Sequence, residues 1–420
     1  MQGWKCKRYM ENYNIYLYII ALILVGDFAW SQYLSYRNRR RMSSVIPPAL
    51  EGIYEPVDYA KQQDYQKANS RFGLYSGFFS FITMFLFLVL GGFGWLDSIL
   101  REYITNEIWL GLAYLGVLML VSEIISLPFD YYATFVIEER FGFNKSTKKT
   151  FWLDQLKGLL LSVVIGGALL AVIIWLYSGL EQWAWAVAWI FMSGFSLFFS
   201  LFYSNLIVPL FNKQTPLEDG ELRSAIESFG KKAGFGINNI YVMNASKRSS
   251  KANAYFTGMG AKKRIVLYDT LINDLEVDEI VAVLAHEIGH YKKKHTQKGM
   301  IVSVFSMGVM LFLLSFFLTN TPVAVALGAE KASFHLGLIA FSMLFTPFSM
   351  LLGLLGNIMS RKNEYQADYF ASQYGLAQPL IDGLKKLSVK SLSNLNPDPL
   401  FVKVYYSHPT LLQRISALSK

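Results

Sequence analysis

The stretch Ala-His-Glu-Ile-Gly-His, residues 285–290, is the part of the sequence around which the rest of the chain is organised. Apolar residues recur at helical spacing through this region, for example at Ile280 and Leu284, which predicts an amphipathic helix. On such a helix His286 and His290 lie one turn apart on the same face. At that distance two imidazole rings can bind one zinc ion.

Glu287 lies between the two histidines and points slightly round the helix. A carboxylate there can take a proton from a water molecule held by the metal without being a ligand itself. The alternative is two surface histidines on an amphipathic helix. Because the chain has only five histidines in 420 residues, chance rarely produces this pattern. The stretch therefore predicts a zinc peptidase, and it requires a third ligand from elsewhere.

The composition indicates a polytopic membrane protein. Apolar residues make up 53% of the chain and charged residues only 16%, which is too little charge for soluble surfaces. The net charge of +9 comes from basic residues beside long apolar runs, which indicates membrane topology rather than nucleic-acid binding. The single cysteine, Cys6, excludes an internal disulfide and a cysteine-rich metal site, so histidines and carboxylates are the expected ligands.

Seven apolar runs are long enough to cross a bilayer as helices. They cover residues 15–34, 72–95, 108–127, 159–177, 183–207, 299–318 and 334–359. The first follows a basic flank at Lys5, Lys7 and Arg8 and lacks a small-residue cleavage site. We therefore expect a retained helix there rather than a signal peptide.

Basic residues predict the orientation of these spans. They are concentrated in residues 37–71 and 140–157, whereas the loops on the other side contain only Arg101 and Lys331. By the positive-inside rule the two basic loops are cytoplasmic, and so is the zinc motif. The amino terminus is then outside and the carboxyl terminus inside.

The spans divide the chain into four parts. Residues 1–208 contain the first five spans and their loops, and residues 209–298 form a cytoplasmic metalloprotease segment. Residues 299–359 contain the last two spans, and residues 360–420 form a cytoplasmic helical segment.

Within the first soluble segment, three short stretches rich in β-branched and aromatic residues are predicted strands. They cover residues 239–243, 253–258 and 264–268. An extended peptide can add itself to an exposed edge of such a sheet through main-chain hydrogen bonds.

Two carboxylates directly after the last span, Glu364 and Asp368, lie four residues apart and therefore share a helical face. Glu364 can complete the zinc ligands, with water as the fourth. Asp368 is placed to accept the other ring N–H of a ligand histidine. Such a pair is usually only a solvated helix face, but its position beside the last span favours the metal role.

The remaining candidates come from the carboxyl terminus and from the other histidines. His408 has the chemistry to stabilise an oxyanion and Arg414 to bind a carboxylate, but residue reasoning alone leaves both roles open. His295 follows the zinc motif among lysines, and His335 lies near the outer end of the seventh span. We expect these two to have structural or solvated roles.

Together these blocks resemble the type I CAAX prenyl proteases, integral-membrane zinc metalloproteases of the gluzincin class. Besides the zinc motif and the two carboxyl-terminal segments, the matching blocks are residues 135–144, 209–217, 248–256 and 263–271. The resemblance implies an all-α polytopic fold in which seven transmembrane helices enclose a large water-filled chamber, capped by a small β-containing metalloprotease segment. Asp27 and Glu123, which lie within spans, would then face water.

The resemblance also implies a role for each matching residue. One zinc ion would be bound by His286, His290 and Glu364, with Glu287 as catalytic base and Asp368 orienting a ligand. His408 and Arg414 would contact substrate or intermediate, and Asn253 and Ala254 would lie on the substrate-binding edge. The family removes the last three residues from proteins whose CAAX cysteine carries a prenyl group.

Two departures from the family concern the substrate. Lys251 stands where family members commonly have His, which leaves details of the substrate edge open. The short chain, without a lysine-rich retention signal, favours a bacterial inner-membrane homologue over a protein of the endoplasmic reticulum membrane. Its native substrate would then be some other protein or peptide.

The expected partners are a protein or peptide substrate, with or without a prenyl group, and the lipid bilayer; we expect a monomer and no nucleic acid. Two other functions remain open: a general membrane quality-control metalloprotease for unprenylated substrates, and a transporter or lipid-binding scaffold with structural zinc. Seven spans and the block at residues 253–256 count against the first. A structural zinc site normally has four protein ligands, whereas this sequence offers three beside a Glu, which counts against the second.

Overall fold

The computed structural model describes residues 14–43, 45–236, 239–257 and 264–420. Several residues named above lie outside these ranges: Lys5, Cys6, Lys7, Arg8, Gly258 and Lys263. The described chain forms a body of long apolar helices and a smaller cap that contains a sheet.

The helices of the amino-terminal half are mostly long and apolar. They are α1 (Ile15–Arg40), α2 (Pro56–Val89), α3 (Gly92–Tyr103), α4 (Glu107–Tyr132), α5 (Lys148–Leu161), α6 (Gly167–Gly179), α7 (Ala184–Leu206) and α8 (Val208–Phe211). A π-helical turn, Ala133–Glu138, extends α4, and another, Ser162–Gly166, joins α5 to α6 into one span. Asn14 and Asn106 cap α1 and α4 by accepting hydrogen bonds from first-turn amides.

The carboxyl-terminal half supplies the helices of the cap and the last membrane helices. They are α9 (Glu221–Lys232), α10 (Asp269–Asp274), α11 (Val277–Lys292), α12 (His295–Leu318), α13 (Thr321–Ala326), α14 (Phe334–Leu344), α15 (Thr346–Ser372), α16 (Ala377–Lys390), α17 (Pro399–Tyr405) and α18 (Leu411–Leu418). Within the described residues, six helices are long and apolar enough to span a membrane, and the bent pair α14 and α15 makes a seventh. The predicted all-α body of seven spans is confirmed.

The predicted end of the second span is wrong. α2 ends at Val89, and Gly91 follows with a left-handed φ of 71°, a conformation that glycine adopts without a Cβ clash. Trp95 lies in the separate helix α3. The sequence did not reveal the break because the apolar run continues across it. At this end the Gly94 amide donates to the Leu327 carbonyl at 2.8 Å, so the two loops predicted to lie outside are joined.

The seventh span is bent rather than straight. The axes of α14 and α15 differ by 56°, and Pro347 lies at the start of α15, where its missing N–H is tolerated. α15 then continues without interruption past residue 360. Glu364 and Asp368 are therefore on the same helix as the end of the last span.

The cap contains a four-stranded mixed sheet. Its strands are β1 (Gln214–Pro216), β2 (Ile240–Met243), β3 (Ala254–Thr257) and β4 (Arg264–Tyr268). The order is β1-β2-β4-β3, with β2 and β4 parallel and the two outer pairs antiparallel. The strand β3 is therefore an edge strand, beside the helix that carries the zinc motif.

Contacts between distant segments define the two ends of the body. At the capped end Arg37 pairs with Asp398 at 3.1 Å, so the predicted cytoplasmic loops and the carboxyl-terminal segment lie together. At the opposite end His335, fully buried, lies 2.7 Å from an Asp97 oxygen and 3.1 Å from Ser333 Oγ. A structural or a solvated role was expected for His335, and its burial and contacts support the structural one.

Candidate active site

α11 positions the zinc motif between the sheet and α15. The helix begins with a capping box in which Glu276 and Glu279 each accept a hydrogen bond from the other's backbone amide. Ile280, Leu284 and Ile288 are almost completely buried in the core that includes the sheet. The histidines, on another face, are thereby directed towards α15.

Three donor atoms converge where α11 meets α15. His286 Nε2 lies 3.1 Å from His290 Nε2, and Glu364 places one carboxylate oxygen 3.2 Å from His290 Nε2 and the other 3.5 Å from His286 Nε2. All three donors lie within 4.8 Å of one another. Glu364 Oε2 is buried and has no hydrogen-bond partner in the described part of the chain. Two imidazoles and a carboxylate form a zinc donor set, so these residues fit a divalent cation.

Asp368 and Arg414 support His286 from behind. Asp368 Oδ1 lies 2.8 Å from His286 Nδ1, and Arg414 donates to both Asp368 oxygens at 2.6 and 2.9 Å. Burial lowers the pKa of His286, but its hydrogen bonds with Asp368 and Glu364 outweigh burial and raise this pKa to about 9. The structure thus places Arg414, a candidate substrate contact, on Asp368, with Nη1 3.8 Å from Glu364 Oε2.

The structure adds His295 to the site, a residue whose role the sequence did not indicate. His295 is 6% exposed, its Nδ1 lies 3.1 Å from His290 Nδ1, and its Nε2 lies 2.9 Å from Gln366 Oε1. One set of tautomers satisfies both contacts: His290 Nδ1–H donates to His295 Nδ1, and His295 Nε2–H donates to Gln366. His290 Nε2 is then free for the metal.

A sharp turn explains why His295 is not solvated. Lys294 has a left-handed φ of 59°, which folds the start of α12 back against α11. His295 is five positions after His290, so helical periodicity alone would not place the two rings together. The lysines beside His295 are exposed, and this charged context was misleading.

Glu287, next to His286 in α11, and His408 are both accessible to solvent. Glu287 is half-buried and makes no hydrogen bond or ion pair within the part of the chain that the structure describes. The His408 side chain is 62% exposed, with Nε2 3.4 Å from Glu364 Oε1 and Nδ1 2.9 Å from Ser407 Oγ. The cluster is therefore open on this side, unlike a closed structural zinc site.

The free edge of β3 presents backbone groups at alternate residues. Tyr268 N donates to the Asn253 carbonyl at 3.1 Å, so the backbone groups of Asn253 point towards β4. Those of the next residue, Ala254, therefore point away from β4. By the same alternation the backbone groups of Phe256 also point to the free edge. The Ala254 N–H donates to the Asn253 side chain at 2.8 Å. The two predicted substrate residues thus share this edge, although the structure gives no contact between them and the donor cluster.

Lys251 anchors the loop that leads into β3. Its Nζ lies 2.8 Å from Glu138 Oε2 and donates to the Tyr65 hydroxyl at 3.0 Å. Both partners belong to the membrane body, so this lysine fastens the sheet edge to the body. Lys251, the residue that departs from the family pattern, therefore has defined partners in the membrane body.

Known proteins resemble this chain along its length. The family model described as the CAAX prenyl protease N-terminal domain with five membrane helices matches residues 35–213, and peptidase family M48 matches residues 216–420. The CAAX prenyl protease 1 of Saccharomyces cerevisiae is 34% identical, over 98% of this chain and 97% of that protein. The chain belongs to peptidase family M48, in the group of the CAAX prenyl proteases. It is therefore a membrane metallopeptidase.

Two further comparisons agree with this assignment to the CAAX prenyl proteases of family M48. The CAAX prenyl protease 1 homolog of Homo sapiens is 31% identical, over 93% of this chain and 92% of that protein. The crystal structure of S. mikatae Ste24p superimposes with a TM-score of 0.92 at 33% identity, covering 96% of this chain and 99% of that one. The family predicted from the sequence is confirmed.

Proposed function

We propose that this protein is a zinc-dependent endopeptidase that removes the last three residues from CAAX-type proteins or peptides. One observation carries the proposal: the donor atoms of His286, His290 and Glu364 lie within 4.8 Å of one another. Glu287, the residue after His286, has no hydrogen bond or ion pair in the described part of the chain. The relatives named above are called CAAX prenyl proteases, which supports the substrate class. A structural zinc site is disfavoured because it would be closed by a fourth protein ligand.

Zinc, when bound, supplies a Lewis acid that polarises the scissile carbonyl and makes water a better nucleophile. Glu287 takes the proton of the attacking water and delivers it to the leaving amine. His408 donates a hydrogen bond to the oxygen on which negative charge develops. Asp368, fixed by Arg414, keeps the proton of His286 on Nδ1 and leaves Nε2 for the metal.

In the proposed complex the substrate lies extended along β3. The backbone groups of Ala254 and Phe256 pair with it, and the Asn253 side chain releases the Ala254 N–H when the peptide arrives. The sequence before the scissile bond is then held mainly through main-chain hydrogen bonds. This arrangement tolerates different side chains along the peptide.

The substrate class is tested with two synthetic peptides of the same sequence, one carrying a farnesyl group on the CAAX cysteine and one without it. The purified chain with zinc is expected to release a tripeptide from the farnesylated form, identified by mass spectrometry. Equal cleavage of both peptides at scattered bonds would instead favour a quality-control protease.

Metal analysis of Glu364→Ala tests the third ligand, because full zinc occupancy in this variant would exclude Glu364 from the set of zinc ligands.

The protein is an integral multi-pass membrane protein, and we propose that its active site faces the cytoplasm, in a bacterial inner membrane or, in a eukaryote, the endoplasmic reticulum. The variant Lys149→Cys, made in a Cys6→Ser background, should react with a membrane-impermeant maleimide only from the cytoplasmic side.

We also propose a water-filled chamber, supported by the exposed Asp27 and Glu123. A cysteine at Glu123 that resists a charged thiol reagent would contradict it.

The same proposal includes the oligomeric state and the partners. All three ligands come from one chain, so a monomer suffices for activity, with the bilayer and a protein or peptide substrate as partners and no nucleic acid. Mixing Glu287→Gln with Glu364→Ala protein should restore no activity. Restored cleavage would show that chains share a site.

A further inference from the structure

A cavity lies in the membrane body, and its lining does not include the metal cluster. It has a volume of about 800 Å³ and lies between α2 and α4 with its π-helical extension. Its lining residues are Asp64, Lys67, Ala68, Arg71, Phe72, Tyr75, Pro128, Phe129, Tyr132, Val136, Ile137, Arg140 and Phe141. None of the proposed catalytic, metal or substrate-edge residues is among them. The cavity is therefore separate from the proposed active site.

The position of the cavity along its helices places it at the membrane interface. On α2 the lining begins among charged residues at Asp64 and ends at Tyr75, after the apolar run has begun. On the other wall it ends at Arg140 and Phe141, just after the apolar part of the span stops. Ile137 and Phe141 also pack with Tyr65 in one buried cluster at the capped end of the body. The cavity thus lies level with lipid headgroups on that side.

The cavity has a cationic rim. Lys67 pairs with Asp64 at 3.7 Å, and these two charges offset each other. Arg71 and Arg140 have no ion-pair partner anywhere in the described ranges, although Arg140 lies 5.4 Å from the ring centre of Phe141. Two unpaired guanidinium groups therefore face one cavity, and guanidinium binds phosphate oxygens through paired hydrogen bonds.

The rest of the wall is aromatic and aliphatic. Phe72 stacks on Tyr132 at 5.7 Å between ring centres, and Phe129 lies 6.3 Å from Phe72. Such a wall fits the first methylene groups of acyl chains, and tyrosines are favoured at the level of lipid headgroups. An uncharged prenyl chain would match this wall but would leave both arginines without a counter-charge.

We propose that this cavity binds one anionic phospholipid from the leaflet at the capped end, with its phosphate on Arg71 and Arg140 and its acyl chains along the aromatic wall. Basic pockets between membrane helices recognise acidic headgroups in this way. The bound lipid braces α2 against α4. Tyr65, which packs against this part of the wall, also accepts a hydrogen bond from Lys251 next to the sheet edge.

The proposal is tested by counting bound lipid with native mass spectrometry on the full zinc-loaded chain in detergent. Phosphatidylglycerol and phosphatidylcholine with identical acyl chains are added in equal amounts. The unmodified chain should retain phosphatidylglycerol preferentially, and the double variant Arg71→Gln/Arg140→Gln should lose this preference by about tenfold to thirtyfold. The matched control Lys148→Gln/Lys149→Gln removes two exposed cations from the same end and should keep it.

A second variant tests the cavity without changing charge. Ala68→Trp fills the space and should exclude the lipid while both arginines remain, so the proposal can be tested even if the double variant does not fold. Equal retention of the two lipids, or an equal loss in the lysine control, would overturn the proposal. Displacement by inorganic phosphate alone would show a small-anion site instead, and displacement by farnesylcysteine methyl ester would assign the cavity to the substrate.

Discussion

The Nδ1 atom of each proposed ligand histidine contacts a different residue. Asp368 contacts Nδ1 of His286. His295 contacts Nδ1 of His290 and donates a hydrogen bond to Gln366. Such partners fix the tautomer and the ring orientation of a ligand, and their removal commonly costs about 10-fold to 100-fold in metal affinity. We therefore expect His295 to act on the metal only through His290.

We expect His295→Ala to weaken zinc binding by about 10-fold to 100-fold, because His290 loses the acceptor that fixes its ring. Competition with a fluorescent zinc chelator measures this affinity. Peptidase activity should recover when zinc is added in excess, which a merely unfolded protein would not show.

Lys293→Ala is the matched control for His295, since Lys293 is exposed and lies in the same turn. Its zinc affinity should equal that of the unmodified chain. If His295→Ala also binds zinc with unchanged affinity, the positioning role is excluded.

Zinc binding should depend on pH through His286. Its pKa without metal is about 9, above the usual value for histidine, so at neutral pH the ring carries a proton that the metal must displace. Affinity therefore falls as pH falls. Between about pH 8 and about pH 7 we expect about a tenfold loss for this single proton.

Chelator competition at both pH values measures this slope. Asp368→Asn removes the carboxylate that raises the pKa of His286, so its slope should be shallower. An apparent dissociation constant that does not change with pH in the unmodified chain would contradict the assignment.

The sequence predicted the residues whose chemistry and spacing are local. His286, Glu287 and His290 follow from one helical turn, and Glu364 with Asp368 from another. It could not predict His295, because only the left-handed turn at Lys294 brings that ring to the site. Nor could it show that Arg414 is engaged by Asp368, since this contact depends on how α18 packs against α15.

At the scale of elements, the site depends on how closely α11 and α15 approach. Gly289 is the contact point: a Cβ there would lie 3.0 Å from Ala367 Cα and 3.2 Å from its carbonyl oxygen. Both atoms are backbone, so α15 would have to shift as a whole. Glu364 lies one turn before Ala367 and would move with it.

We expect Gly289→Ala to destabilise the protein and to lower zinc affinity. Overpacking costs about 1–3 kcal/mol, and the better helix propensity of alanine offsets about 1 kcal/mol of this. Thermal unfolding and chelator competition measure the two effects. In the control Gly356→Ala, on α15, a Cβ meets no atom within 4 Å, so zinc affinity should be unchanged. A stabilised Gly289→Ala protein with full zinc affinity would contradict this role of Gly289.

The edge of β3 gives a prediction for substrate binding. Ala254→Pro removes an outward N–H, while proline is tolerated on an edge strand. With one main-chain hydrogen bond lost, kcat/KM for the farnesylated peptide should fall about threefold to tenfold. Ala254→Gly keeps the N–H and should keep most of the activity, so equal losses in both variants would argue against pairing along this edge.

The sequence predicted which membrane helices are present better than it predicted where they end. Apolar length gave seven spans, yet the same apolarity concealed the breaks at Gly91 and Phe345. In both places backbone chemistry ends a helix within an apolar run: a left-handed glycine in the first and a proline at the start of the next helix in the second. Sheet order also depends on contacts between strands distant in sequence.

For the molecule as a whole, the metal cluster exists only when the cap and the membrane body fold together. His286 and His290 come from a helix that packs on the sheet, and Glu364 comes from the helix that completes the last span. The Lys251 contacts and the Arg37–Asp398 pair join the two parts elsewhere. The helix that completes the last span therefore supplies one of the three proposed zinc ligands.

The most direct test of this account measures zinc content and peptide cleavage on the same preparation of the Glu287→Gln variant. Glutamine keeps the shape of the side chain but cannot take a proton, and Glu287 lies outside the ligand set. We predict one zinc ion per chain, as in the unmodified protein, with cleavage reduced by at least about a hundredfold. Loss of the zinc would make Glu287 a ligand, and undiminished cleavage with zinc retained would contradict its role as the base.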